Sequence, residues 1–505
     1  MKKLSALIGI IIAGVSLSGC GKSYLDINTP NPNAATGATP ELVITNAMVV
    51  TASGQVANPN LGPTNFISGW MGYWAPSGSY ATNNQDVASY NETTAFANTL
   101  WIGSYRNLED YYYVETSAKE QLKPYYVAMA KAMKSVVFAQ LVDMFNNVPY
   151  SEAFQGTLII QPKYESGQSI YEDLAKQLDT VASIMASPAA VATDGTDIMF
   201  HGSPDNPDAN VNWIKFANTL KLRLLMRQSQ MSGRDAYIKD EIAKIEANGV
   251  GFLEEDADID PPYANNDGQQ NPLWGYFRTI AGQPTSGGQA DYWKAAQYAI
   301  STLNSYNDTN RLKQIYAEND QGTYAGSILG SQFNPPGNGT SSIGPGLLKA
   351  VNQHAVIISA AESHFLQAEA IVRGFMAGDA KSEYEAGVTA SFAFLEATGA
   401  AAYLAQSNVN TNWTLASGTT AQIALIIRQK WIAMNGVTPL EAYDDYRRTG
   451  LPSDIPISIS PYKIPANAQI PVRYLYPTSE YTTNTENANA QGTIDYYTTR
   501  VFWNQ

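Results

Sequence analysis

Trp213-Ile214-Lys215-Phe216-Ala217-Asn218-Thr219-Leu220-Lys221-Leu222-Arg223-Leu224-Leu225-Met226-Arg227 is the stretch that decides the fold class. After Asn212, residues Trp213, Phe216, Ala217, Leu220, Leu224 and Leu225 recur at three- and four-residue steps, which places them on one face of an α-helix. Lys221, Arg223 and Arg227 supply charge elsewhere on the surface, so the spacing predicts an amphipathic helix.

The same pattern recurs on both sides. Upstream, Thr39-Pro40-Glu41 offers an N-cap, a proline at the first helical position and an acid in the first turn. Trp101, Tyr105, Leu108 and Tyr112 share a face, Pro124 opens a partner stretch with Met129, Met133, Val136, Val137 and Leu141, and Ser169 to Glu172 reads as a capping box ahead of Leu174, Leu178, Val181 and Met185. Downstream, Ser359 to Glu362 reads as a second capping box before Phe365, Leu366, Ala370 and Ile371, with Gly374 as the stop. Tyr384, Val388, Phe392 and Leu395 run to Gly399, and Ile423, Ile426, Ile427, Trp431 and Met434 run to Asn435-Gly436. Amphipathic helices joined by short turns predict a mainly α protein, a tetratricopeptide-like helix-pair scaffold, although no clean 34-residue repeat is present. Stretches 51–98, 186–211, 251–290, 318–347 and 450–505 lack a period and are rich in Gly, Pro, Asn and Tyr; they read as long irregular loops covering one side of that scaffold.

The chain has 505 residues with a net charge of −14, which argues against nucleic-acid binding and against attachment to anionic lipid through a basic surface. Met1-Lys2-Lys3, the apolar run Leu4–Val15 and Leu17-Ser18-Gly19-Cys20 have the layout of a secretory signal, and the apolar run falls short of the about 20 residues a spanning helix needs. Leucine-small-small-cysteine is a lipobox, so Cys20 is the expected lipidation site and the membrane contact is a lipid anchor. As the only cysteine, Cys20 leaves no intramolecular disulfide and no cysteine zinc site. The expected division is 1–19 signal peptide, 20–38 tether and 39–505 a single helical domain.

Motifs for chemistry are missing. His201, His354 and His364 have no metal-ligand spacing, no nucleophile elbow occurs, and Gly21-Lys22-Ser23 only imitates the end of a phosphate loop. Asp256, Asp258 and Asp260 alternate like a calcium loop, but Pro261 replaces its glycine and Asp267 its bidentate glutamate, so no cofactor is expected, with calcium at this triplet as the alternative. Paired carboxylates of a glycoside hydrolase have no sequence signature of their own, because their separation is set in three dimensions. The expectation is a protein that is not an enzyme. With 15% charged residues, 31 Tyr and 9 Trp among many amides and hydroxyls, the composition suits hydroxyl-rich ligands: rings offer flat apolar area to a sugar's C–H face, and amides both donate and accept hydrogen bonds.

Several segments, in order, resemble the SusD/RagB-like outer-membrane nutrient-binding lipoproteins. They are Tyr24 to Asn33 after the lipobox, Asn147-Val148-Pro149-Tyr150-Ser151-Glu152-Ala153, Trp213 to Arg227, Ser359-Ala360-Ala361-Glu362 with Gln367-Ala368-Glu369-Ala370, Gln429-Lys430-Trp431, Tyr446-Arg447-Arg448-Thr449-Gly450, Ile470 to Pro477, and Val501-Phe502-Trp503. The resemblance implies a helical body of tetratricopeptide-like pairs under ligand-binding loops. It also implies capture of oligosaccharides at the cell surface for import through a SusC-like TonB-dependent transporter. A peptide-binding member of the same transporter system is the alternative, and a glycoside hydrolase a more distant one. Acidic residues that often follow the lipidated cysteine in surface-displayed members are replaced here by Gly21-Lys22-Ser23.

No binding residue of the family aligns position by position, so the ligand-binding expectation rests on two aromatic loops. The first holds Trp70, Tyr73, Trp74, Tyr80 and Asn83; the second holds Trp274, Tyr276, Tyr292 and Trp293. Trp101, Trp213 and Trp431 sit on apolar helix faces and are expected in the core, and Arg447 and Arg448 are expected in structural ion pairs.

Overall fold

The computed structural model describes residues 38–57, 66–80, 85–206, 208–261, 263–285 and 288–504. Cys20, the signal and the tether therefore lie outside the described residues, and Pro40–Gln505 forms one compact unit. Counting helices of more than ten residues, α1 is Pro40–Ala57, α2 Asn98–Glu120, α3 Pro124–Phe145, α4 Gly167–Met185 and α5 Asp208–Arg227. They continue with α6 Asp235–Asn248, α7 Ala360–Val372, α8 Ala380–Phe394, α9 Thr419–Met434 and α10 Pro439–Thr449.

Consecutive helices pack in pairs, α2 on α3, α4 on α5, α7 on α8 and α9 on α10, with α3 against α4 and α7 against α9 joining the pairs into a tetratricopeptide-like stack. No helix among the described residues is long and apolar enough to cross a membrane. Local signals explain several ends. Pro40 and Pro124 stand first in α1 and α3, and Ser359 caps α7 by accepting from Glu362 N at 3.2 Å. The other capping box is corrected: α4 begins at Gly167 and is capped by Ser166, which accepts from Ser169 N at 3.1 Å.

The cations of α5 are a second correction. Lys221, Arg223 and Arg227 are buried rather than solvated, because other helices supply carboxylates. Arg223 grips Glu362 of α7 with two bonds of 2.7 and 2.8 Å, and Arg227 meets Glu441 and Asp444 of α10 at 2.6 Å each. On α10, Arg448 binds Glu369 of α7 at 2.6 and 2.8 Å and Asp445 at 2.8 Å, and Lys430 of α9 reaches Asp445 at 3.0 Å. Arg447 pairs with Asp444, so both arginines are in ion pairs, as expected. The network ties four helices from three of the pairs at one buried place.

Strands are short and all pair antiparallel: β1 Trp74–Pro76 with β5 Trp293–Ala295, β2 Val148–Pro149 with β3 Tyr164–Glu165, β4 Ala257–Ile259 with β8 Ala355–Ile358, and β6 Tyr316–Ala317 with β7 Ser342–Ile343. The first of these ribbons carries both aromatic loops.

Candidate functional site

The two loops meet. In the β1–β5 ribbon, Trp74 faces Ala295, Ala75 faces Lys294 and Pro76 faces Trp293. Beyond it Ser77 N donates to Tyr292 O at 2.9 Å, and Gly78 N to Pro335 O at 2.7 Å. Residues near 74–80, 291–295 and 334–337 thus form one surface.

Four of the nine expected ligand-binding residues are corrected by burial. Trp70, Tyr73 and Trp74 show 0% of their surface and Trp293 3%, so their rings present no face to a ligand. Trp70 donates to Val87 O at 3.1 Å, Tyr73 donates to Trp431 O at 2.5 Å with its ring stacked 4.8 Å from that indole, and Trp74 donates to Asn435 Oδ1 at 3.1 Å. Burial pushes the Tyr73 hydroxyl well above its ordinary pKa. The turn that tucks these rings inward needs Gly72, whose φ is +71° and whose Cβ, if present, would lie 2.7 Å from Tyr298. Trp101, Trp213 and Trp431 are in the core as expected.

Tyr80, Trp274, Tyr276 and Tyr292 are half-buried, and Asn83 lies outside the described residues. The Tyr80 and Tyr292 rings, from different loops, stand 5.5 Å apart and tilted. Trp274 and Tyr276 lie on the short helix Pro272–Phe277, capped by Asn271, whose Oδ1 accepts from Leu273 N at 2.9 Å and Trp274 N at 3.1 Å. That helix packs on the short helix Gln289–Tyr292. On the same loop Tyr263 Oη, Gln270 Nε2 and Trp274 Nε1 are buried without a hydrogen-bond partner among the described residues. A buried polar atom left unpaired costs about 1–3 kcal/mol, so three on one loop mark a place where ligand or water completes the bonding.

Sequence reasoning passed over two cations beside these rings. Lys294 shows 8% of its surface, and burial pulls its pKa down despite Asp291 and Asp320 nearby. Burial likewise lowers Arg278, which is close enough to depress Lys294 further. A lysine flanked by Trp and Ala on a short apolar segment carries no signal of its own; only the ribbon register reveals it.

Two other concavities carry acids. A cleft of about 620 Å³ is lined by Glu254, Glu255, Asp256, Asp258, His354 and Phe394, among others. Three of its four acids are engaged: Asp256 accepts from Ala360 N at 2.8 Å, Asp258 lies 3.1 Å from His354 Nδ1, and Glu254 pairs with Lys215 at 3.0 Å. Asp260 approaches the other nitrogen of His354 at 3.3 Å; of the calcium-like triplet Asp258 lies on β4, with Asp256 and Asp260 flanking the strand. Burial raises the pKa of Asp256 and of Asp258, the latter against the pull of His354. His364 lies 2.7 Å from Glu383. A groove of about 560 Å³ lined by Trp101, Tyr105, Phe154, Ile160 and Glu480 is the second; there Glu480 accepts from Trp101 Nε1 at 3.1 Å and from Tyr164 Oη at 2.7 Å.

No curated protein matches the chain. Among solved structures, a SusD homolog from Bacteroides uniformis is 26% identical, with a TM-score of 0.76 over 92% of this chain and 99% of its own. A chitin-binding SusD homolog from Flavobacterium johnsoniae is 24% identical, with a TM-score of 0.75 over 92% of this chain and 98% of its own. A SusD homolog from Bacteroides fragilis is 21% identical, with a TM-score of 0.73 over 93% and 100%. The family described as "Starch-binding associating with outer membrane" matches residues 32–477, and the chain belongs to this SusD-like family.

Proposed function

We propose that this protein is a cell-surface receptor that captures oligosaccharides without breaking a bond and hands them to a partner TonB-dependent transporter of the outer membrane. Lipid on Cys20 would hold it there. The observation that carries the reading is the loop surface where half-exposed Tyr80 and Tyr292 meet at the β1–β5 ribbon, with the short helix Pro272–Phe277, packed on the Tyr292 helix, adding half-exposed Trp274 and Tyr276 and the unpaired polar atoms of Tyr263, Gln270 and Trp274 on the same loop. Rings pack against the C–H faces of sugars, and the unpaired atoms offer two or more hydrogen bonds to hydroxyls. Membership of a family described as starch-binding, and a chitin-binding structural neighbour, agree with a glycan as ligand.

The test is affinity electrophoresis of the purified protein in gels containing individual polysaccharides, with reducing ends assayed in parallel. Retardation by at least one glycan, with no new reducing ends, is the expected result. Release of reducing ends would make the protein a hydrolase, and a blank glycan panel with retention on peptides would move the ligand to the peptide class.

A further inference from the structure

Among the described residues, the buried cations fall into two groups. Lys221, Arg223, Arg227, Arg311, Lys430, Arg447 and Arg448 each contact a carboxylate, and Arg473 donates to the backbone carbonyls of Phe145 and Tyr474. Lys294 stands alone: more than nine-tenths buried, it has neither a hydrogen bond nor an ion pair. An ammonium on a largely desolvated side chain with no partner at contact is costly, because the lost hydration is not repaid by a Coulomb attraction at contact.

Its position links that unmet charge to the ligand surface. Side chains alternate along a strand, so Lys294 projects opposite to Trp293 and Ala295, which are in the core, and it follows directly on the helix that ends at Tyr292. A Cβ on Gly337 would lie 3.5 Å from Lys294 Cε and 3.7 Å from Ser77 Oγ, so a glycine leaves room beside the lysine stem next to the 77–80 turn. Tyr80, on that turn, pairs with the Tyr292 ring at 5.5 Å. The charged groups around the amine are Arg278, Asp291 and Asp320; Arg278, itself half-buried, also has no ion pair or side-chain hydrogen bond among the described residues. On a chain of net charge −14, two desolvated and unpaired cations beside an aromatic pair are out of keeping with the rest of the molecule.

We infer that this site takes an acidic glycan, one whose sugar carries a carboxylate, with Lys294 and Arg278 receiving the anion while Tyr80 and Tyr292 hold the ring. The inference rests on the glycan-capture reading above and narrows it. A carboxylate seated at Lys294 supplies the counter-charge that the fold omits, and charge-assisted hydrogen bonds to it are short and about twice as strong as neutral ones. A neutral sugar at the same place would leave the ammonium unpaired, which is discrimination by an unmet polar group.

Titration calorimetry on the purified protein tests this with matched probes: oligogalacturonate and oligoalginate, each against its carboxyl-reduced counterpart, plus neutral maltooligosaccharides and chitooligosaccharides. At least one acidic probe should bind tenfold or more tighter than its reduced form. Lys294→Met should erase that preference while leaving the melting temperature in place, and Lys294→Arg should retain most of it. Equal affinity for acidic and reduced forms overturns the inference, as does a preference that survives in Lys294→Met. Binding of the neutral probes alone also overturns it and leaves glycan capture standing; silence across all probes removes both.

Discussion

Trp74 separates a ring that supports the site from a ring that touches ligand. Trp74 is fully buried, its indole N–H donates to Asn435 Oδ1 at 3.1 Å, and its ring meets Tyr316 edge-on at 5.0 Å. Trp74→Ala removes a core indole, a change that costs about 3–5 kcal/mol, and strands the Asn435 oxygen for about another 1 kcal/mol or more. Trp74→Phe keeps most of the volume and loses the N–H, so about 1–3 kcal/mol is expected. Urea unfolding followed by far-ultraviolet circular dichroism measures both, and calorimetry with the retained glycan measures binding. The expected outcome for Trp74→Phe is a lower unfolding midpoint with affinity held within about threefold, as for a residue outside the contact. Unchanged stability with affinity reduced tenfold or more would refute the reasoning and return Trp74 to the ligand.

Other outcomes follow from the same geometry. Tyr292→Ala should weaken glycan binding by about 1–3 kcal/mol with little change in unfolding, measured by the same calorimetry; equal affinity would remove the Tyr80–Tyr292 pair from the site. Arg448→Met leaves Glu369 and Asp445 buried beside each other with one cation fewer, and should cost about 3–5 kcal/mol in urea unfolding; a loss below about 1 kcal/mol would show that Arg373 and Lys430 suffice. Glu115, on α2, meets Lys119, Lys131 and Lys134 at 2.6, 2.9 and 2.7 Å. Burial pushes its pKa up, but the ammonium groups outweigh burial and hold it at about 2 against an ordinary 4.5. A depressed carboxyl contributes stability that is complete above pH 4.5 and is lost as pH falls towards 2, here about 3 kcal/mol. Glu115→Gln should flatten stability across that window, and an unchanged acid slope in urea melts would contradict the assignment.

The helical scaffold was legible in the sequence because its signals are local. Pro40, Pro124 and Ser359 act on the turn beside them, and the face running from Trp213 to Leu225 is set by the 3.6-residue period. What the sequence hid depends on partners far along the chain. Lys221, Arg223 and Arg227 look like the solvated side of an amphipathic helix until Glu241, Glu362 and Glu441 arrive from other helices. Trp-Met-Gly-Tyr-Trp at 70–74 looks like an exposed aromatic loop, yet Tyr73 and Trp74 are held by Trp431 and Asn435, more than 350 residues later. The candidate site was found only in part for the same reason. Tyr80, Trp274, Tyr276 and Tyr292 stood out by composition, whereas Lys294 and Arg278 become notable only once the fold withholds a counter-charge from them.

The most direct measurement is a crystal structure of the protein with the glycan that retards it most strongly. The account predicts sugar rings against Tyr80 and Tyr292, with hydroxyls meeting the free polar atoms of Gln270 or Trp274. Density instead in the acidic cleft at His354, or in the groove beside Trp101, with the β1–β5 surface empty, would contradict it.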